Sequence, residues 1–175
     1  MLLNWLAVIC FLIPQPTQIA VARVPDFSGT WKIDRNISTY SGLKDLEDLT
    51  FVISQRPPVL EVKRVIREKK HRQRISELTY YTDGRGEKVS FLFSDQKWNS
   101  KTIWVNGEMV STFTVPQYES LTSAFTYYDY KEVWSLSRDG KLMTITTNIR
   151  VRNVPDWLRS RIRDQTYQKV FRRTE

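Results

Sequence analysis

Apolar and polar side chains alternate with a period of two over most of this chain. Phe27, Trp31 and Ile33 fall on one side of a first ribbon, with Gly29 between them. Leu49, Phe51 and Ile53 alternate with Thr50, Val52 and Ser54, and Pro57-Pro58 ends that run. Leu60, Val62, Arg64 and Ile66 follow on one side of the next ribbon, so Arg64 stands where the pattern asks for an apolar residue. Further strands are predicted over 75–82 and 88–93, then a hairpin of 102–105 and 109–115 around Asn106-Gly107. Asn-Gly supplies the positive φ angles that a tight primed turn needs. Residues 125–137 and 142–152 make a second hairpin across Asp139-Gly140, and the latter run has the cleanest alternation in the chain. Residues 95–100 and 116–123 read as polar connections, 39–47 as a helical turn at most, and 155–163 as a short helix with Pro155 in its first turn. Tyr167 to Arg173 is a last strand. Nine or ten evenly spaced strands joined by tight turns imply an all-β antiparallel sandwich or barrel.

The first 22 residues break the pattern. They contain no Lys, Arg, Asp or Glu, carry an apolar run from Leu6 to Ile13, and end in Ala20-Val21-Ala22. An apolar run followed by small residues three apart is the form of an export signal, too short for a membrane-spanning helix. The expected division is a signal peptide over 1–22 and one domain over 23–175, placed in the periplasm or secreted. The chain's one cysteine, Cys10, lies in the signal. The exported domain then has no disulfide and must be held by its core alone.

Two stretches carry a resemblance. Phe27-Ser28-Gly29-Thr30-Trp31 resembles the Gly-x-Trp first strand of the lipocalin and fatty-acid-binding superfamily. With the late hairpin Trp134-Ser135-Leu136-Ser137-Arg138-Asp139-Gly140-Lys141-Leu142-Met143-Thr144-Ile145, it is similar to the lipocalin-like single-domain proteins that bacteria export. The Thr-Asp-Tyr motif of lipocalins proper is absent. The resemblance implies a single up-and-down β-barrel of about 8–10 strands with one short helix near the C-terminus. It also implies that the last strand closes on the first and sets a basic residue, Arg172 or Arg173, over Trp31.

Composition narrows the chemistry. The 175 residues carry 27 Lys and Arg against 19 Asp and Glu, and a single histidine, His71. One histidine and no exported cysteine leave no His/Cys metal site, no Gly-x-Ser-x-Gly elbow accompanies any serine, and no phosphate-cradling Gly-rich loop occurs. No metal, cofactor or catalytic residue is therefore expected. A small barrel can enclose a ligand, and the expected partner is a small apolar or amphipathic molecule bound by a monomer. Inner-face candidates are Phe51, Ile53, Leu60, Val62, Val89, Phe91, Ile145 and Ile149, with Arg64 as the anchor for an acidic head. The formal charge of +8 supports a second reading: Lys69, Lys70, Arg72 and Arg74, with the basic 155–163 segment, contacting acidic lipid or polysaccharide. Aromatic residues are missing from that basic run, so specific nucleic-acid binding is not expected.

Overall fold

The computed structural model describes residues 24–69, 72–120 and 123–174. The predicted signal and its cleavage site lie outside the described residues. The alternation folds into strands β1 (Gly29–Ile33), β2 (Leu46–Arg56), β3 (Val59–Glu68), β4 (Gln73–Tyr81) and β5 (Glu87–Ser90). The second half gives β6 (Lys97–Val105), β7 (Glu108–Glu119), β8 (Ala124–Leu136), β9 (Leu142–Arg152) and β10 (Gln165–Thr174). All ten lie in one antiparallel sheet of order β4-β3-β2-β1-β10-β9-β8-β7-β6-β5. Each strand therefore neighbours its successor except β4, which is not paired with β5, and β1 meets β10. The result is a nearly closed barrel whose seam lies between β4 and β5, the two ends of the sheet.

The first and last strands join as the sequence leads one to expect, with Trp31 opposite Arg173 and Ile33 opposite Phe171. Because the strands run up and down, their connections alternate between two ends. One end carries the 57–58, 82–86, 106–107 and 137–141 turns together with the segment before β1. It is closed by a plug of rings. Trp31, Phe27 and Phe171 are fully buried there and Trp134 nearly so. Phe27 stacks on Trp104 with centroids 5.9 Å apart, and Phe51 meets Phe171 at 4.6 Å. Trp31 Nε1 donates to the Phe27 carbonyl at 2.8 Å, so its buried polar group is satisfied. Gly29 sits at φ +129°, a conformation that L side chains rarely adopt, and this turns the chain from the plug into β1.

Three expectations need correction. The 155–163 helix is only a 3-10 turn over Asp156–Leu158 with no buried residue, and Trp157 is exposed. Leu158 and Ile162 on its apolar side are only half-buried, and so short a segment cannot offset the cost of starting an α-helix alone. The strand predicted over 88–93 stops at Ser90, because Arg64 Nη1 takes the Ser90 carbonyl at 2.8 Å and the chain turns at Phe91. The predicted connections over 95–100 and 116–123 are largely strand: β6 starts at Lys97 and β7 runs on to Glu119. Pro116 is tolerated there because pairing with β6 ends at Phe113, so its missing N–H interrupts no ladder on that side. Asn106 and Gly107 both take positive φ, 51° and 81°, as the predicted turn requires.

Candidate functional site

The barrel interior is not filled. Above the plug, toward the end that carries the 34–45, 91–96 and 153–164 connections, lies a cavity of about 290 Å³. Strand alternation decides what faces it. Of the sequence candidates, Phe51, Val62, Arg64, Val89, Phe91, Ile145 and Ile149 line it. Ile53 and Leu60 are buried but belong to the core around the plug and do not line the cavity.

Arg64 is 5% exposed and is held on neutral acceptors. Its Nε donates to Ser76 Oγ on β4 at 2.9 Å, and its Nη1 and Nη2 donate to the Ser90 carbonyl and Oγ on β5 at 2.8 and 2.9 Å. One guanidinium thus bridges the seam that backbone pairing leaves open, which explains the charged residue on the apolar side of β3. Burial pulls its pKa below the ordinary arginine value. Arginine nevertheless keeps its charge at any working pH.

Sequence reasoning missed most of the polar lining. Lys169 on β10 is buried and its Nζ lies 3.3 Å from Glu132 Oε1 on β8. Thr147 Oγ1 donates to the same oxygen at 3.3 Å. The ammonium of Lys169 also stands 5.8 Å from the ring centroids of both Tyr40 and Tyr167. Among the lining residues two buried cations, Arg64 and Lys169, face one carboxylate, Glu132, so the cavity keeps one uncompensated positive charge. The tyrosines supply donors: burial pushes Tyr130 and Tyr167 up to about 12, and raises Tyr80 further. Their hydroxyls stay protonated at neutral pH. The floor is Trp134, 2% exposed, whose Nε1 has no hydrogen-bond partner among the described residues. A signal for Lys169 and Glu132 existed. Lys169 lies two residues from Phe171, and Glu132 lies between Tyr130 and Trp134 on one side of its strand.

The other predicted residues sit elsewhere. The Arg173 guanidinium lies 4.6 Å over the Trp31 ring and donates to the Asp26 carbonyl at 3.2 Å, whereas Arg172 Nε donates to Asp34 Oδ2 at 2.5 Å. Lys69, Arg72 and Arg74 are together at the β3–β4 tip, and Lys70 and His71 lie outside the described residues. Arg72 pairs with Glu68 at 3.6 Å, and Arg74 with Glu68 at 3.9 Å and Asp95 at 3.2 Å. Acids therefore take up part of the charge of that cluster. Among the described residues no group of His, Cys, Asp or Glu could hold a metal ion.

No family model and no curated protein matches the chain. Solved structures do match. A zebrafish ileal bile-acid-binding protein complexed with cholic acid superposes with a TM-score of 0.50 at 10% identity, over 85% of this chain and 98% of that one. The two chains share a fold, a nearly closed antiparallel β-barrel. The REP1-NXSQ fatty acid transporter gives a TM-score of 0.47 at 10% identity, over 85% of this chain and 96% of that one. A Schistosoma mansoni fatty acid binding protein in complex with arachidonic acid gives 0.46 at 10% identity, over 85% and 96%.

Proposed function

We propose that this barrel carries a small amphipathic molecule with an apolar body and a single anionic head. The observation that supports it is the interior itself: apolar walls enclose about 290 Å³ into which one net positive charge and several protonated tyrosines are built. That volume is at the small end of the ~300–1,000 Å³ typical of ligand cavities, so a compact ligand fills it. The bile-acid-binding neighbour was solved with cholic acid, an amphipathic carboxylate, and the reading here is of the same chemical kind. Arg64 is committed to the seam through Ser76 and Ser90, so Lys169 and the tyrosines are the groups left to meet the head. These groups hold and orient, and the reading includes no catalysis. The same proposal places the carrier outside the cytoplasm, on the apolar 6–13 run and the Ala20-Val21-Ala22 site.

The experiment is solvent extraction of natively purified protein followed by mass spectrometry, with titration of the compact aromatic sulfonate 1-anilinonaphthalene-8-sulfonate alongside. A co-purified anionic amphiphile, or probe binding in one site that such an amphiphile displaces, is the expected result. An empty extract together with no saturable probe binding would overturn the reading.

A further inference from the structure

A second depression lies outside the barrel wall. An open trough of about 1180 Å³ runs over the outer face of β5 to β10. Alternation sends Lys88 on β5, Lys97 and Lys101 on β6, Lys131 on β8 and Arg150 on β9 to this face, and all five are exposed. Among the described residues none of the five makes an ion pair. The two acids of the trough are already engaged. Asp129 is bound by Arg152 and accepts from Thr114 Oγ1 at 2.8 Å, and Asp164 accepts from the Val151 amide at 2.8 Å. Cross-strand register sets Lys101 opposite Thr112, Thr112 opposite Lys131 and Lys131 opposite Asn148. The floor between the cations is therefore neutral hydroxyl and amide. The same face runs upward through Pro116 and Tyr127 into an exposed aromatic patch. There Tyr118 and Phe125, 55% and 45% exposed, pack with centroids 5.3 Å apart.

Unpaired cations on this scale point to an anion, and their spacing to an extended one. Lys101 and Lys131 are two strands apart, about 10 Å, and Lys97 and Lys101 are about 13 Å apart along one strand. No single small anion spans them. The trough is concave, so a flat bilayer cannot reach its floor. The aromatic rings tilt by 59° and 36° to one another, which gives successive nucleic-acid bases no parallel ladder to stack on. A chain of sugar rings bearing carboxylates or sulfates fits all three features. Its charges meet the lysines, its hydroxyls meet Asn and Thr, and a sugar face lies on Tyr118 or Phe125. We infer that this outer trough is a binding site for an acidic polysaccharide, distinct from the basic β3–β4 tip and set across the barrel wall from the interior cavity, with which it shares Phe113, Tyr130, Ile149 and Gln165.

The test uses the full chain on immobilised polygalacturonate and on a sulfated glycan, over a salt series. Wild type is expected to bind at low salt and to be released steeply as salt rises. Lys101→Glu with Lys131→Glu is expected to weaken binding about tenfold or more, and Tyr118→Ala with Phe125→Ala severalfold, with 1-anilinonaphthalene-8-sulfonate titration of the interior unchanged. Arg72→Glu at the β3–β4 tip is expected to have no effect. Because the aromatic pair is on the surface, it keeps the test decisive should the charge reversal destabilise the sheet. Undiminished polysaccharide binding by both double variants would overturn the inference. So would preference for anionic phosphatidylglycerol vesicles or single-stranded DNA over either polysaccharide.

Discussion

The interior charge arrangement makes a prediction in which stability and affinity move in opposite directions. Glu132→Gln removes the carboxylate beside Lys169 while leaving an amide oxygen that still accepts from its Nζ, now 3.3 Å from Glu132 Oε1. Both side chains are largely buried, at 9% and 15% exposed. Breaking a buried pair by removing one partner costs about 3–5 kcal/mol. The retained hydrogen bond and the residual exposure put this case near the low end, about 3 kcal/mol. For a domain of this size that lowers the melting temperature by about 6–12 °C. The same change takes a negative charge away from the anionic head of the bound ligand. With the head about 6 Å from Glu132 and an effective dielectric constant of about 20, the repulsion removed is about 3 kcal/mol, or roughly a hundredfold in affinity.

The assay pairs thermal unfolding with two fluorescent titrations. One probe is the sulfonate 1-anilinonaphthalene-8-sulfonate, and the other is its uncharged analogue N-phenyl-1-naphthylamine. The variant is expected to melt lower when empty, to bind the sulfonate tighter by one to two orders of magnitude, and to bind the neutral probe as before. Saturating sulfonate then restores much of the lost stability, because a ligand that binds only the folded state stabilises it in proportion to its affinity. Equal affinity gains for both probes would mean that the substituted amide simply enlarged or softened the cavity. An unchanged melting temperature with unchanged sulfonate affinity would refute the charge argument outright.

The remaining predictions address the frame around the site. Arg64→Met removes one hydrogen bond to Ser76 on β4 and two to Ser90 on β5, which together bridge the β4–β5 seam. Amide exchange measured by mass spectrometry is expected to rise in β4 and β5 while β1 and β10 stay protected, and uniform protection would show that the seam does not depend on this side chain. Trp31→Phe is expected to cost about 1–3 kcal/mol in urea unfolding, because it leaves the buried Phe27 carbonyl without its donor. A double-mutant cycle of Trp31→Leu with Arg173→Ala should give a coupling of about 0.5–1 kcal/mol for the ring–guanidinium contact, and a coupling of zero would remove that contact from the closure. Hydrogen bonding from Arg172 lowers the pKa of Asp34, from Ser28 that of Asp26, from Arg152 that of Asp129, and from Ser137 that of Asp139. A carboxylate with a depressed folded pKa adds stability that is present above its unfolded value and lost as pH falls through the folded one. The melting temperature should therefore hold from neutral pH down to the ordinary carboxylate range and drop below about pH 4. A profile that stays flat well into the acid range would contradict these four contacts.

How much of this was legible depended on whether the two faces of a strand differ. Strand β9 sends Met143, Ile145, Thr147 and Ile149 inward and Thr144, Thr146 and Asn148 outward, and its limits at Leu142 and Arg152 were readable to the residue. The first half of β6 was not. Lys97, Asn99 and Lys101 face out, but Ser100 and Thr102 face in, so polar residues stand on both sides and the alternation vanishes. Ser100 is buried because its hydroxyl lies 2.8 Å from that of Ser111, and Thr102 because it donates to Glu87 at 2.6 Å. Partners on other strands make those positions tolerable, and a linear pattern carries no record of partners. Arg64 shows the same thing from the other direction. It stood out against three apolar neighbours on its strand, and that contrast marked it as interior, yet its role across the seam depends on Ser76 and Ser90, which are unremarkable in sequence.

The same reasoning explains why the two candidate sites differ in how they could be found. An interior site in a barrel is built where the period-two rule is broken on the apolar side, as by Arg64, Glu132 and Lys169, and each break can be read once the strand is placed. The outer trough breaks no rule: Lys101, Thr112, Lys131 and Asn148 are what any wet face contains. What distinguishes them is that the register lines up four strands so that unpaired cations surround a neutral floor, with acids that are already taken. Charge composition alone pointed to the β3–β4 tip, where Arg72 and Arg74 belong to the densest basic run in the sequence, but there Glu68 and Asp95 answer them. The attraction for a polyanion depends on charge left unpaired after folding, and pairing is a property of the sheet rather than of the run. Binding to acidic polysaccharide should accordingly follow Lys101 and Lys131 and be indifferent to Arg72, although the tip looks the stronger site in sequence.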